Sequence, residues 1–79
     1  MRRVMKVSIL DAQEILHEGM CRQVILPTSD GEWCVLDFHQ PFLLRLYKGV
    51  IALDQAPPLA ISGGVARMKG NELVVLVQR

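Results

Sequence analysis

The chain has 79 residues, about half of them apolar and 22% charged, which is typical of a single soluble globular domain and excludes a fibrous or disordered chain. Nine basic and eight acidic residues leave a formal net charge of +1, and the basic residues are scattered along the chain. We therefore expect one domain over residues 1–79 that does not bind nucleic acid.

The amino terminus and the cysteines indicate where the protein resides. The Met-Arg-Arg start lacks the apolar core of a signal peptide, and no apolar run approaches the ~20 residues of a membrane helix. Cys21 and Cys34 are too few for the disulfide framework of a small secreted domain. We expect a soluble cytosolic protein with two reduced thiols.

All the predicted elements are short strands. Met5–Ile9 alternates apolar and polar residues, a polar turn follows at 11–14, and extended chain resumes at Ile15 and reaches Gly19. Further strands are predicted at Met20–Leu26, Trp33–Leu36, Phe42–Leu46, Val50–Leu53, Leu59–Ser62, Val65–Met68 and Leu73–Val77. Turn residues separate them, with breaks at 27–31, 37–41, 55–58 and 70–71. Turns at such short spacing favour an all-β sandwich or barrel of eight or nine strands.

The glycine pair in Ser62-Gly63-Gly64 interrupts an alternating run and has two interpretations. A phosphate-binding loop needs a following Lys and Ser/Thr and the start of a helix, and the sequence after Gly64 is strand-like instead. A bulge or the close approach of another backbone is therefore the better hypothesis.

Two arrangements of cysteine and histidine suggest a site, one a metal site and the other a nucleophilic pair. His17, Cys21, Cys34 and His39 mimic zinc-finger spacing in the wrong order, and a hairpin of Met20–Leu26 with Trp33–Leu36 would place Cys21 near His39 and Cys34 near Leu26. The two thiols would then lie ~15 Å apart, which excludes a shared metal ion and a disulfide. Cys34 and His39 likewise lack the geometry and the third group of a nucleophilic pair.

Three aromatic residues, Trp33, Phe38 and Phe42, surround the loop that contains His39. Such residues usually belong to the core, and a loop histidine is usually solvated. A binding surface formed by this loop is the alternative hypothesis.

Three ordered blocks resemble the ATP synthase epsilon subunit, called delta in mitochondria. The blocks are MKVSILDAQEILHEG, LPTSDGEWCVLDFHQPFLLRLYKGVI and AISGGVARMKGNELVVLV, and the resemblance extends from about Val4 to Val77. It implies a flattened sandwich of about ten strands in the central stalk of the rotary motor. Such a domain binds the gamma subunit and the ring of c subunits, and it has no catalytic residue, cofactor or metal.

The resemblance also assigns roles to individual positions. Glu32 matches a contact with the c-ring, and His39 matches a histidine close to both gamma and the ring. Asp11 and Leu44 fall where the family faces gamma, although Asp11 could be a turn acid and Leu44 a core residue. Ser62-Gly63-Gly64 becomes a structural fingerprint of the sandwich.

The sequence departs from the family at several places. Cys34 replaces a glycine, DFHQP replaces PGHAP around His39, and the loop 54–58 looks short. The family's C-terminal helical hairpin has no counterpart, so neither inhibition by that hairpin nor nucleotide sensing is expected.

We therefore predict a non-catalytic rotor subunit that is not an obligate homo-oligomer. It is expected at the cytoplasmic face of the inner (plasma) membrane, peripheral to the membrane through the complex. A stand-alone binding module and a small metal- or thiol-dependent enzyme are the alternatives.

Overall fold

The computed structural model describes residues 4–37, 40–54 and 56–79, and this part of the chain forms nine strands. The strands are β1 (Met5–Leu10), β2 (Ile15–Cys21), β3 (Gln23–Thr28), β4 (Gly31–Leu36), β5 (Phe42–Leu46), β6 (Gly49–Leu53), β7 (Ala56–Ile61), β8 (Gly63–Lys69) and β9 (Glu72–Gln78). Sheet A has the order β2-β1-β9-β8-β5 and sheet B the order β4-β3-β6-β7. The predicted all-β sandwich is confirmed. Within the described ranges, no helix has the length and apolar character needed to cross a membrane.

The core lies between the two sheets and is supplied by alternate residues of each strand. In β9, Leu73, Val75 and Val77 are buried, whereas Leu76 and Gln78 point outward and are exposed. Removing a large aliphatic side chain from water contributes roughly 1.5–3 kcal/mol, so this alternation fixes which face of each strand turns inward. The largest fully buried side chains come from both sheets: Met5, Ile9, Leu26, Leu46, Ile51, Met68 and Leu73.

The first corner between the sheets lies at Arg22, where the continuous strand Met20–Leu26 was predicted. That prediction is wrong, because β2 ends at Cys21 in sheet A and β3 begins at Gln23 in sheet B. The Asp54 carboxylate stabilises the bend by accepting hydrogen bonds from the backbone N–H of Arg22 at 3.0 and 3.1 Å and of Gln23 at 3.4 Å. Bends of this kind carry strands from one sheet to the other.

The corner at Arg22 also changes the predicted positions of the cysteines. Cys21 pairs with Met5 in sheet A, so its predicted place in the hairpin with β4 is wrong. Cys34 pairs with Ile25 of β3, one residue from the predicted Leu26. The two cysteines therefore belong to different sheets.

A corner of the same single-residue kind lies at Ser62, between β7 in sheet B and β8 in sheet A. Both the backbone N–H and the hydroxyl of Ser62 donate hydrogen bonds to the Gln78 carbonyl oxygen, at 2.7 and 3.1 Å. The Ser-Gly-Gly motif thus begins at a sheet-to-sheet corner.

Strand β7 covers positions 56–58 of the predicted break, because it includes Pro57 and Pro58. It is an edge strand of sheet B, and proline is tolerated at an edge because its missing N–H removes no ladder bond on the free side. The predicted start of this strand at Leu59 is therefore wrong, whereas its end near the corner is close to that expected.

The predicted turn at Gly70-Asn71 connects β8 and β9. Both residues have φ near +59°, which is the conformation of a two-residue hairpin turn and one that glycine and asparagine adopt most readily. The Asn71 side chain also donates a hydrogen bond to the Val4 carbonyl oxygen at 2.9 Å, which holds the start of β1 beside this turn.

Candidate functional site: the end groove of sheet A

A groove crosses the end of sheet A where β1, β5 and β9 finish and β8 begins. We call it the end groove, and its lining comprises residues 10–12, 43–48, 62–65 and 76–78. Asp11, Leu44 and the Ser62-Gly63-Gly64 motif are brought together here, although 51 positions separate Asp11 from Ser62 in the sequence. The groove is open to solvent and is lined by residues of four strands, which suits a polypeptide segment better than a small molecule.

Gly64 shapes the floor of the groove. It pairs with Leu46 on one side and with Val77 on the other, in strands whose register continues without a shift. A Cβ atom at Gly64 would collide with the Leu76 carbonyl oxygen and lie 3.1 Å from the Val77 Cα. Its absence allows β8 and β9 to approach closely next to the corner, so the structure displays the close-approach alternative and no bulge.

Asp11 closes the outer end of the groove as the acid of a tight turn. Its Oδ1 accepts hydrogen bonds from the backbone N–H groups of Gln13 and Glu14, each at 2.8 Å, and its Oδ2 lies 3.1 Å from Nη2 of Arg79. The two backbone hydrogen bonds, and after them Arg79, lower the pKa of the Asp11 carboxyl. Both carboxylate oxygens are therefore already engaged, and Asp11 contributes to the site chiefly by shaping this turn.

Leu44 lies on the inner side of β5 and packs against the buried core cluster. Its neighbour Leu43 points outward and is 73% exposed, the most exposed large apolar side chain of the described residues. Leu43 is thus the leucine of β5 that is available to a partner. Leu43 could not be singled out from the sequence, because two adjacent leucines do not reveal which of them faces outward.

An apolar row runs across the outer face of sheet A beside the groove. Leu10 of β1 lies opposite Ile15 of β2 and Leu76 of β9, and Leu76 lies opposite Val65 of β8. Ile15, Leu76 and Val65 are 55%, 56% and 41% exposed. Four aligned aliphatic side chains span about 15 Å at the usual strand spacing, and a continuous apolar surface of this kind marks an interaction site.

Cationic and aromatic groups border the row. The Arg45 guanidinium lies 5.0 Å from the centroid of the Tyr47 ring, a cation–π contact that limits the freedom of both side chains. Lys48 lines the groove next to Tyr47 and is exposed. These groups give one end of an otherwise apolar surface a positive charge.

Glu32 lies outside the end groove. It is exposed near the start of β4, pairs with Pro27, and follows the hairpin turn between β3 and β4. The loop that contains His39 begins at the other end of β4, about 17 Å away along an extended strand. His39 itself lies outside the described residues, so its predicted contact stays a prediction.

The predicted aromatic loop surface is only partly described, because Phe38 lies outside the described residues. Trp33 and Phe42 contact each other edge to face, with ring centroids 5.1 Å apart. Phe42 packs against the core cluster, and Trp33 is 38% exposed. These two rings therefore link the edges of the two sheets, which is a structural role.

The cysteines and histidine of the described residues do not form a reactive site. Cys21 is fully buried, and its Sγ lies 3.7 Å from His17 Nε2. Burial, with a smaller contribution from Asp54, raises the pKa of the Cys21 thiol and so favours its protonated form. Cys34 is exposed in the other sheet. The described residues contain no cluster of three or more potential metal ligands.

The comparisons with known proteins identify the class. Residues 4–79 match the family model described as the ATP synthase delta/epsilon chain, beta-sandwich domain. The chain therefore belongs to the ATP synthase delta/epsilon family, as its residues suggested.

Curated relatives and solved structures agree with this assignment. The chain is 30% identical to ATP synthase epsilon chain 2 of Ralstonia nicotianae and 32% identical to the epsilon chain of a Synechococcus species, over 92% and 94% of its length. It covers 55% and 56% of those relatives, so it spans little more than half of their length.

Two mitochondrial ATP synthase structures contain chains of the same fold. The Tetrahymena thermophila structure, titled central stalk/c-ring, gives a TM-score of 0.81 at 12% identity over 95% of this chain and 63% of that chain. The Euglena gracilis structure, titled OSCP/F1/c-ring, gives 0.85 at 16% identity over 100% of this chain and 53% of that chain.

Proposed function

We propose that this chain is a non-catalytic rotor subunit of an F-type ATP synthase. In this role it binds the gamma subunit and the c-ring, and it couples ion-driven rotation of the ring to ATP synthesis elsewhere in the complex. It is peripheral to the membrane, at the cytoplasmic face of the inner (plasma) membrane, where the complex holds it. Family membership supports this proposal.

The observation that carries the proposal is the apolar row beside the end groove. A small domain that leaves Ile15, Val65 and Leu76 half-exposed in one line gains free energy when a partner covers them. Since both Asp11 and the exposed Leu43 line the groove, we assign this surface to gamma.

We assign the c-ring contact to the hairpin turn before Glu32. The backbone N–H of Tyr47, in the end groove, donates a hydrogen bond of 2.9 Å to the Pro27 carbonyl oxygen at the base of this hairpin. The two proposed surfaces therefore adjoin at one end of the sandwich, as a subunit placed between two partners requires. His39 stays a separate proposed contact with gamma and the c-ring, in the loop that begins at the other end of β4.

Torque transmission requires a body that does not bend between its two contacts. Hydrogen-bonded ladders connect all the strands of each sheet, and the corners at Arg22 and Ser62 join the sheets through single residues. A sandwich built in this way positions its loops rigidly and needs no catalytic group.

The proposal is tested by calorimetric titration of the chain with the gamma subunit of the same organism. We expect a one-to-one complex of micromolar or tighter affinity. Leu76→Lys should weaken it at least about tenfold, because a lysine would be buried against an apolar partner surface. Leu36→Lys is the matched control, since Leu36 is 51% exposed on the outer face of sheet B.

Two results would count against the proposal. If the folded proteins do not bind, the stand-alone module becomes the better hypothesis. If the two lysine variants weaken binding equally, the end groove is not the gamma surface. Unchanged thermal midpoints in both variants would show that any lost affinity does not come from unfolding.

A further inference from the structure

The fold places two arginines side by side on the outer face of sheet A. Arg45 of β5 lies opposite Val65 of β8, and Leu43 lies opposite Arg67, so cations and aliphatic side chains alternate at the corners of a square. All four side chains are exposed. We call these four residues the arginine square. Diagonal positions on adjacent strands lie roughly 7–8 Å apart, so strand register holds the bases of the two arginine side chains close together.

The positive charge of the arginine square is not balanced within the described part of the chain. The ion pairs there are Lys6 with Glu72 and Arg79 with Asp11, and neither includes Arg45 or Arg67. The outward positions of β5 and β8 carry no acidic residue in this part of the chain.

Other charges near the square leave this imbalance in place. Lys48 lies beyond Arg45 in the end groove and adds a further positive charge. Lys69, at the far end of β8, lies opposite Glu72, whose Oε2 is 3.9 Å from the Lys6 Nζ. Across the sheet, β1 and β2 place Lys6 and Glu18 on the same face, so both signs of charge occur there.

We propose that the arginine square docks an acidic segment of the partner protein, one that sets two carboxylates among aliphatic side chains. This inference rests on the proposed function, which makes gamma the partner. A guanidinium presents a planar fork of donors that matches a carboxylate, and arginine is enriched at protein interfaces. Arg45 is already oriented by its contact with the Tyr47 ring, so less conformational freedom is lost when it binds.

An anionic lipid surface is the other chemistry that would attract two arginines. Leu43 and Val65 belong to paired strands of a sheet and line the end groove, so neither lies at the tip of a loop that could enter a bilayer. Aliphatic and cationic groups alternate in one plane of the sheet. This arrangement favours a protein surface that places carboxylates opposite the arginines and apolar side chains opposite Leu43 and Val65.

The test is titration of the chain with the gamma subunit at about 0.05 M and about 0.5 M NaCl, where the Debye length falls from ~14 to ~4 Å. We expect the wild-type affinity to fall at least about tenfold. The double variant Arg45→Gln/Arg67→Gln should lose a similar factor at low salt and then depend little on salt. The control Lys6→Gln/Arg22→Gln removes the same charge outside the arginine square and the end groove, at β1 and at the Arg22 corner, and should behave as wild type.

The outcomes separate this inference from the proposed function. Tight wild-type binding with equal affinities for the double variant and the control would overturn the arginine square and leave the rotor role intact. Failure of the wild-type chain to bind gamma would overturn the rotor role and with it the partner named here. Arginine-dependent sedimentation with phosphatidylglycerol vesicles, with gamma binding unchanged in the double variant, would assign the square to lipid instead.

Discussion

The two single-residue corners between the sheets, at Arg22 and Ser62, are built differently. At Arg22 the bend is stabilised by the side chain of Asp54, which lies 32 residues away and reaches two backbone N–H groups. At Ser62 the bend is stabilised mainly by backbone, through the Gln78 carbonyl oxygen and the close approach that Gly64 allows. Only the Ser62 corner borders the end groove.

This difference connects architecture to function. The Ser62 corner consists mainly of glycine and backbone, so no large side chain projects from it and a partner can cover it. The Arg22 corner is held by the exposed carboxylate of Asp54 and therefore presents a charge. Small residues therefore lie at the corner that borders the proposed binding surface, where a partner must come close to the backbone. The charged side chain lies at the other corner.

The largest expected effect is at Gly64. Gly64→Ala should lower the free energy of unfolding by about 2 kcal/mol or more, because the new methyl collides with the backbone of β9. Gly63→Ala is the matched control, since its nearest neighbours lie at 3.6 and 3.7 Å, and it should cost less than about 1 kcal/mol. Urea unfolding of both variants measures the difference, and equal losses would contradict the close-approach account.

A smaller effect is expected when the side chains at the two corners are removed. Asp54→Ala should cost about 1–2 kcal/mol, because charge-assisted hydrogen bonds to backbone N–H groups are lost at a solvent-exposed bend. Ser62→Ala should cost less than about 1 kcal/mol, because the Ser62 N–H still bonds to Gln78. Thermal and urea unfolding should show this order, and its reversal would mean that the Ser62 hydroxyl, rather than backbone, supports its corner.

The smallest effect concerns pH and Asp11, beside the Ser62 corner. Because the folded pKa of Asp11 is lowered, its contribution to stability is present above the unfolded value near ~3.9 and is lost as pH falls through the folded value. Asp11→Ala should therefore be less stable than wild type at neutral pH, and the gap should narrow below about pH 4. Urea unfolding across this pH range measures the difference in free energy of unfolding between wild type and variant. A difference that does not change with pH would show that the Asp11 charge contributes nothing to stability.

Much of the fold could be predicted from the sequence, because alternating hydrophobicity places each strand. The corner at Arg22 could not, since neither glycine nor proline marks it and its stabilising carboxylate comes from Asp54, far along the chain. At Pro57 and Pro58 the prediction was wrong because residues that usually break a strand are present, yet the strand continues through them. Proline breaks a central strand but is tolerated in an edge strand, and the order of strands is not visible in a local pattern.

The site could be predicted only in part. The family resemblance led to Asp11, Leu44 and the Ser-Gly-Gly motif, and the fold brings them to one groove. The sequence pattern of β5 did not show which of Leu43 and Leu44 faces outward. The diagonal arrangement of Arg45 and Arg67 depends on strand register, so basic residues that look scattered in the sequence become neighbours only in the folded sheet.

The central claim is that the end groove and apolar row of sheet A form the partner surface. The most direct test is hydrogen–deuterium exchange of the intact chain with and without its gamma subunit. Slower exchange should appear in residues 10–12, 43–48, 62–65 and 76–78, while β4 and β7 of sheet B stay unchanged. Protection confined to β4 and β7, with unchanged exchange in the end groove, would contradict the account.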